Sequence, residues 1–329
     1  MKKFRILAAF IVICSLMLTT AQASAPTNPK IVFENQNSET APDADRSVFA
    51  YENEPEKTNG KDTWFSAVEG FFSMTALEET AASALPDAAE AEEEEEIRTI
   101  FIKDTTFVSV RDFITTIQPD AVFGYKNGTV TVAHDDMYME LHRGKIYCYA
   151  NGRMLPVADP CFEQDDTMYA PIRLLAQIYC YDVAWNEEAE TVTLTENGET
   201  FISGEDFYDQ DDYMLLARLI NAECGNQPLN GKIAVGNVIM NRVADSRFPS
   251  TISGVIYDRS CGIQFTTAYN GSLNKKPNAE CYIAAKLCLE GYSVTDNCLY
   301  FLNPRISGGS WVCRNRPYVM TIGDHAFYS

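Results

Sequence analysis

The chain has 329 residues, with 26 Lys+Arg against 46 Asp+Glu for a net charge of −20, and 46% of it is hydrophobic and 12% aromatic. That length accommodates about two domains plus extras, and the composition can fill hydrophobic cores, which excludes a wholly disordered chain. The acidic balance excludes nucleic acid as the default partner. The acidity is unevenly placed: residues 26–97 carry −14 and residues 98–204 carry −8, whereas residues 205–329 carry only −1. The final segment therefore exerts no strong electrostatic steering on a substrate.

Lys2, Lys3 and Arg5 precede the apolar run Ile6 to Leu18, which leads to small residues at Ala21-Gln22-Ala23 and Ala23-Ser24-Ala25. Basic, greasy and small-x-small in that order is the pattern of a cleaved secretory signal over residues 1–25. The apolar run is short for a membrane span, and no Cys follows it where a lipid would be attached, so a secreted chain without a transmembrane anchor is expected. Residues 26–97 read as an acidic, largely disordered spacer ending in Glu92 to Glu96, because such a composition buries too little apolar area to offset the entropy of ordering it. Trp64, Phe65, Val68, Phe71 and Phe72 inside it have the spacing of a short apolar helical stripe.

The next segment repeats itself at an offset of 62: Asp104-Thr105 matches Asp166-Thr167, Val110-Arg111 parallels Ile172-Arg173, and Thr129-Val130-Thr131-Val132 parallels Thr191-Val192-Thr193-Leu194. Each copy reads as strand, helix, strand, turn and alternating strand. Two such small units are expected to pack into one pseudo-symmetric α+β domain, with Phe123 and Trp185 in equivalent core positions. The elements "FVSVRDF", "YAPIRLL", "VFGYKNGTVTV" and "VAWNEEAETVTL" resemble the copper amine oxidase N-terminal-like domain, a stalk module of secreted proteins, over about residues 98–200. No copper is expected, because His134 and His142 have no counterparts in the second copy and no further ligands converge with them.

Residues 205–329 carry the chemistry. Asp211-Asp212 can cap a helix whose Leu215, Leu216, Leu219 and Ile220 form one stripe, and Glu223 continues that stripe. A carboxylate on an apolar face loses hydration, which raises its pKa toward the value a general acid needs near neutrality; the alternative is a Glu emerging into solvent as the helix frays. "LLARLINAECGNQPLNGKIAVGNVIMNRV", "FPSTISGVIYDRSCGIQFT", "LYFLNPRISGGSW" and "IGDHAFY" together resemble the SleB-like cell-wall hydrolases, the family of spore cortex-lytic enzymes, in order and spacing. The resemblance implies a mainly helical, lysozyme-like α+β catalytic domain. It also implies cleavage of peptidoglycan glycan strands, in cell wall or spore cortex, with Glu223 as general acid and no cofactor or metal.

Matching positions make Gln264, Phe265, Tyr300, Asn303, Trp311 and His325 candidate substrate-binding residues, amide and aromatic side chains suiting the polar edges and apolar faces of sugars, with core packing the competing reading of Phe265 and structural bracing that of His325. Asn241-Arg242 reads as bracing for the second helix. Where the family has a second Glu, this chain has Gln227, which cannot take a proton at neutral pH. A lytic transglycosylase needs one carboxylic acid, whereas hydrolysis needs a second carboxyl about 5–9.5 Å away, for which Asp245, Asp258 and Asp324 are the candidates. Six Cys in this segment allow three disulfides. Two other function classes stay open: a non-catalytic wall-binding or spore-coat protein, and a cysteine amidohydrolase pairing Cys224 or Cys261 with His325.

Overall fold

The computed structural model describes residues 30–34 (as backbone), 97–186, 191–307 and 309–329. The signal sequence and the aromatic stripe at 64–72 lie outside the described residues. The architecture is α+β, organised around two hydrophobic cores.

The first core is built by the repeat. β3 (Thr105–Ser109), α1 (Val110–Ile117), β4 (Val122–Lys126) and β5 (Thr129–His134) are matched by β10 (Thr167–Pro171), α2 (Ile172–Tyr179), β11 (Tyr181–Asn186) and β12 (Thr191–Glu196). β3 and β10 pair antiparallel at the centre of a four-stranded sheet, flanked by β2 (Thr99–Ile102) and β9 (Phe162–Gln164). Their register sets Val108 opposite Ala170, its own equivalent, and exchanges Phe107↔Pro171 with Ser109↔Tyr169. A local twofold axis therefore passes through the Val108–Ala170 pair. α1 starts where Ser109 accepts a hydrogen bond from the Asp112 amide at 3.3 Å, satisfying one of the helix's unpaired donors.

The symmetry stops beyond that centre. After β5 the chain adds β6 (Met137–His142), β7 (Tyr147–Ala150) and β8 (Arg153–Pro156), making a five-stranded sheet in the order β4-β5-β6-β7-β8. β11 instead pairs with β12, and β12 also pairs with β1 (Lys30–Glu34), which lies within the stretch the sequence reads as spacer. Phe123 packs against the first core beneath the Arg111 guanidinium, whereas Trp185 is 47% exposed and meets only the edge of Phe101 among ring partners. The expected equivalence of the two aromatics is thus corrected, because the added strands follow only the first repeat. His134 bonds the Tyr179 hydroxyl and His142 bonds the Thr129 hydroxyl, on separate surroundings.

The second core is helical. α3 (Gly204–Phe207) leads into α4 (Gln210–Cys224), α5 (Leu229–Ala244), α6 (Ile252–Ile256) and α7 (Ala279–Leu289). α5 is buried on nearly every face, as expected of a helix wrapped by α4, α6 and α7. The N-cap of α4 is Asp209, which accepts from the amides of Asp211 and Asp212 at 3.0 Å; the latter two occupy the first turn, where the helix dipole favours their charge. β13 (Tyr300–Leu302), α8 (Pro304–Ser307), α9 (Trp311–Asn315), β14 (Tyr318–Ile322) and β15 (His325–Tyr328) complete the chain, β15 lying between β13 and β14. Asn241 donates to the carbonyl of Cys298 at 3.0 Å and Arg242 to that of Leu299 at 2.8 Å, so both brace the approach to β13 from the end of α5.

The two cores meet across β8 and α7. Arg153 donates to both carboxylate oxygens of Glu290, at 2.9 and 2.7 Å, and Tyr208 donates to the same carboxylate at 2.6 Å. The Lys286 amine donates to the Gly152 carbonyl at 2.6 Å, and Ile146, Tyr147 and Met154 pack onto the helical core. Gly204 sits so close to Gly152 that a Cβ there would lie 2.3 Å from its carbonyl carbon.

Candidate active site

Glu223 is the penultimate residue of α4, half-buried, and continues the face formed by Leu216, Leu219 and Ile220. Its carboxyl Oε1 accepts a hydrogen bond from the Thr267 hydroxyl, which is carried on the 3-10 turn Thr266–Ala268. Burial raises the Glu223 pKa, and the Thr267 hydrogen bond opposes part of that rise. The carboxyl is therefore poised to hold a proton further into the neutral range than an exposed Glu does.

The segment after Glu223 is held from three directions. Asn278, the N-cap of α7, donates to the Gly225 carbonyl at 2.8 Å. The buried Lys232 amine of α5 donates to the Gln227 carbonyl at 2.6 Å and pairs with Glu280 of α7. The Gln227 side chain donates to Asp324 Oδ2 at 3.1 Å and accepts from the Asp324 amide at 2.9 Å. This reciprocal clasp lies over Gly323, at φ +59°, where a Cβ would come within 2.2 Å of Gln227 Oε1. Gln227 thus works as a two-way amide tie between the end of α4 and the β14–β15 turn, a task a carboxylate facing Asp324 would perform poorly.

The three alternative carboxylates are engaged elsewhere. Asp245 is forked onto Arg247 and driven down to about 2 by it. Asp258 is held low by hydrogen bonds from Ser260. Asp324 is tied to Gln227, with the Arg305 guanidinium 3.8 Å away. None of them bonds to Glu223.

The other sequence candidates fall into separate groups. Tyr300 accepts from Arg316 at 2.9 Å, and the same guanidinium lies 5.1 Å from the centre of the Trp311 ring, which is 55% exposed. These three form one cation–aromatic surface. Gln264 is exposed, with its amide on the Gly262 carbonyl at 3.3 Å. Asn303 caps α8, its side chain accepting from the Arg305 amide and its carbonyl from those of Ile306 and Ser307. Phe265 belongs to the core instead of the groove: it is 3% exposed, stacked near Phe301 and under Arg242. It follows an exposed turn and is the one side chain there that points inward. His325 is buried edge-on to Phe301, its Nδ1 finding no hydrogen-bond partner among the described residues, and burial lowers its pKa.

All nine described cysteines are free thiols, so the three disulfides allowed by the count are not formed. Cys224 is buried, donates to the Ile220 carbonyl at 3.2 Å and is pushed far up by burial, the reverse of a reactive thiolate. Cys261 is exposed, and neither thiol contacts His325. The residue that sequence reasoning missed is Thr267. Its signal was a hydroxyl two positions after Phe265, one residue beyond the end of a motif already singled out, but a loop has no periodicity to reveal which way it faces.

Residues 226–328 match the Cell Wall Hydrolase family model, starting three residues after Glu223, and residues 90–194 match the Copper amine oxidase N-terminal domain. The spore cortex-lytic enzyme of Bacillus cereus is 35% identical over 120 residues, covering 36% of this chain and 45% of that protein. That of Oceanobacillus iheyensis is 33% identical, covering 36% and 42%. The chain thus spans less than half the length of these relatives. Among solved structures, the catalytic domain of the germination-specific lytic transglycosylase SleB from Bacillus anthracis is 34% identical, covering 37% of this chain and 97% of that one, with a TM-score of 0.34. The catalytic domain of the Bacillus cereus SleB protein is 34% identical, covering 37% and 92%, also with a TM-score of 0.34. The helical C-terminal part of this chain matches the cell wall hydrolase family and is homologous to the spore cortex-lytic enzymes.

Proposed function

We propose that the protein is a secreted enzyme that cleaves the glycan strands of peptidoglycan, in the cell wall or spore cortex, by a lytic transglycosylase reaction with Glu223 as its single acid and base. The observation that carries this reading is a half-buried Glu223 with a raised pKa at the end of α4, three residues before the stretch that matches the cell wall hydrolase family, while each of the three alternative carboxylates is committed to another partner. Protonated Glu223 gives its proton to the leaving glycosidic oxygen. As carboxylate it then takes the proton of the muramic acid C6 hydroxyl, whose oxygen closes on C1 to leave a 1,6-anhydro end. The sugar supplies the nucleophile, so no second carboxyl is called for. Gln264 and the Tyr300–Arg316–Trp311 surface supply amide, cationic and aromatic groups for the strand.

Glu223→Gln keeps size and removes the transferable proton, which should cost about 10²–10⁴ in rate. Mass spectrometry of the muropeptides checks the products: anhydro ends lie one water below reducing ends. Predominantly reducing ends would replace this mechanism with a two-carboxylate hydrolysis. Released peptides would point to an amidohydrolase, and no release at all to a binding protein.

A further inference from the structure

Thr267 and Glu223 come from elements 44 positions apart, and the packing of the 3-10 turn against α4 brings the hydroxyl to one particular carboxyl oxygen, Oε1. A protonated carboxyl has one carbonyl oxygen and one hydroxyl oxygen, and a donor is best received by the carbonyl one. A donor fixed on Oε1 therefore leaves the proton on Oε2, for which the described residues provide no competing acceptor. Building on the reading of Glu223 as the acid, we propose that Thr267 is a positioning residue that assigns the two oxygens of Glu223 their roles. Oε1 is the held oxygen and Oε2 the oxygen that passes the proton to the glycan.

The surroundings support the assignment. The elements packed on α4 carry Lys232 and Arg242 on α5, and Glu280, Cys281, Tyr282, Lys286 and Cys288 on α7; α6 and the turns at 266–268 and 272–274 carry no titratable side chain. Lys232 and Glu280 are paired with each other, Arg242 is turned to the Leu299 carbonyl, and Lys286 to that of Gly152. Cys281 donates to Asn221 Oδ1 at 3.7 Å and Cys288 to the Ile233 carbonyl at 3.5 Å. The Cys224 thiol couples to Glu223 but is kept neutral by burial. Burial and Thr267 are thus the two opposing influences on the acid. Removing the hydroxyl leaves burial unopposed, raises the pKa further and moves the alkaline limb of the pH–rate profile, where the acid loses its proton, to higher pH.

The test uses the chain lacking residues 1–25, with purified peptidoglycan strands as substrate, and the variants Thr267→Val, Thr267→Ala, Thr267→Ser and Glu223→Gln. Losing a hydrogen bond to an ionisable group should lower kcat by about ten- to a hundredfold. Thr267→Val should do this with KM within about twofold of wild type and the alkaline limb shifted to higher pH. Thr267→Ser should restore both. Thr267→Ala serves in the same way should Val prevent folding. A wild-type kcat and pH limb in the Val and Ala variants overturns the assignment, as does a Ser variant as impaired as Val, which would make the effect one of packing. Wild-type activity in Glu223→Gln would instead remove the acid reading itself, so the two failures are distinguishable.

Discussion

The contact between the two cores offers a direct measure of how firmly they are joined. Arg153→Met deletes both hydrogen bonds to Glu290, whose side chain is only 4% exposed, and lifts the guanidinium off the Phe207 ring, 3.8 Å below it. A buried pair broken on one side costs about 3–5 kcal/mol, because the surviving charge is left without water or partner. Here Tyr208 still donates to Glu290 and Lys286 lies near enough to couple with it, which places the expected loss at the lower end, about 3 kcal/mol. Adding Glu290→Gln removes the stranded charge while keeping an oxygen for Tyr208, so the double variant should regain most of that loss. Urea unfolding of the chain lacking residues 1–25, followed by tryptophan fluorescence, gives both numbers. A loss under about 1 kcal/mol in Arg153→Met, or a double variant no better than the single, would show that Glu290 reaches water and that the cores are not closed on one another in this way.

Gly204→Ala drives a methyl into the Gly152 backbone and should destabilise by about 1–3 kcal/mol, read as a lower urea midpoint. The fragment 205–329 should fold and keep wall-lytic activity, since truncation rehydrates Glu290 instead of stranding it; a folded fragment without activity would refute this. Gln227→Glu keeps the acceptor for the Asp324 amide but sets two carboxylates face to face, raising the pKa of one of them. Its stability should fall below wild type by about 1–3 kcal/mol near pH 7 and converge with it as acid protonates the pair. A gap that persists unchanged at pH 4 would refute a like-charge origin.

What the sequence made legible is what obeys a local period. The repeat at an offset of 62 returned as matched β-α-β-β units, and the stripe from Leu216 to Glu223 returned as one face of α4. Contacts without a period stayed hidden. The Gln227–Asp324 clasp joins residues 97 positions apart and the Arg153–Glu290 pair residues 137 apart, and no pattern of spacing announces either. Phe265 read as core or as sugar platform, since an aromatic beside an exposed Gln fits both roles; the packing of Phe301 and Arg242 around it decides for the core. Trp185 misled in the opposite sense, its repeat partner having covering neighbours that it lacks.

The pairing of β1 with β12 changes the topology of everything between β1 and β2. Both strands are stitched into the repeat unit, β1 at one sheet edge and β2 beside β3 in another. The chain therefore leaves this body at Glu34 and is back on it at Thr99, so both ends of the intervening acidic sequence are fixed to one fold. A single protease cut between β1 and β2 would not by itself free β1, which stays bound until it peels from β12. Shortening the sequence between β1 and β2 leaves the contact between the two cores, made by β8 and α7, untouched.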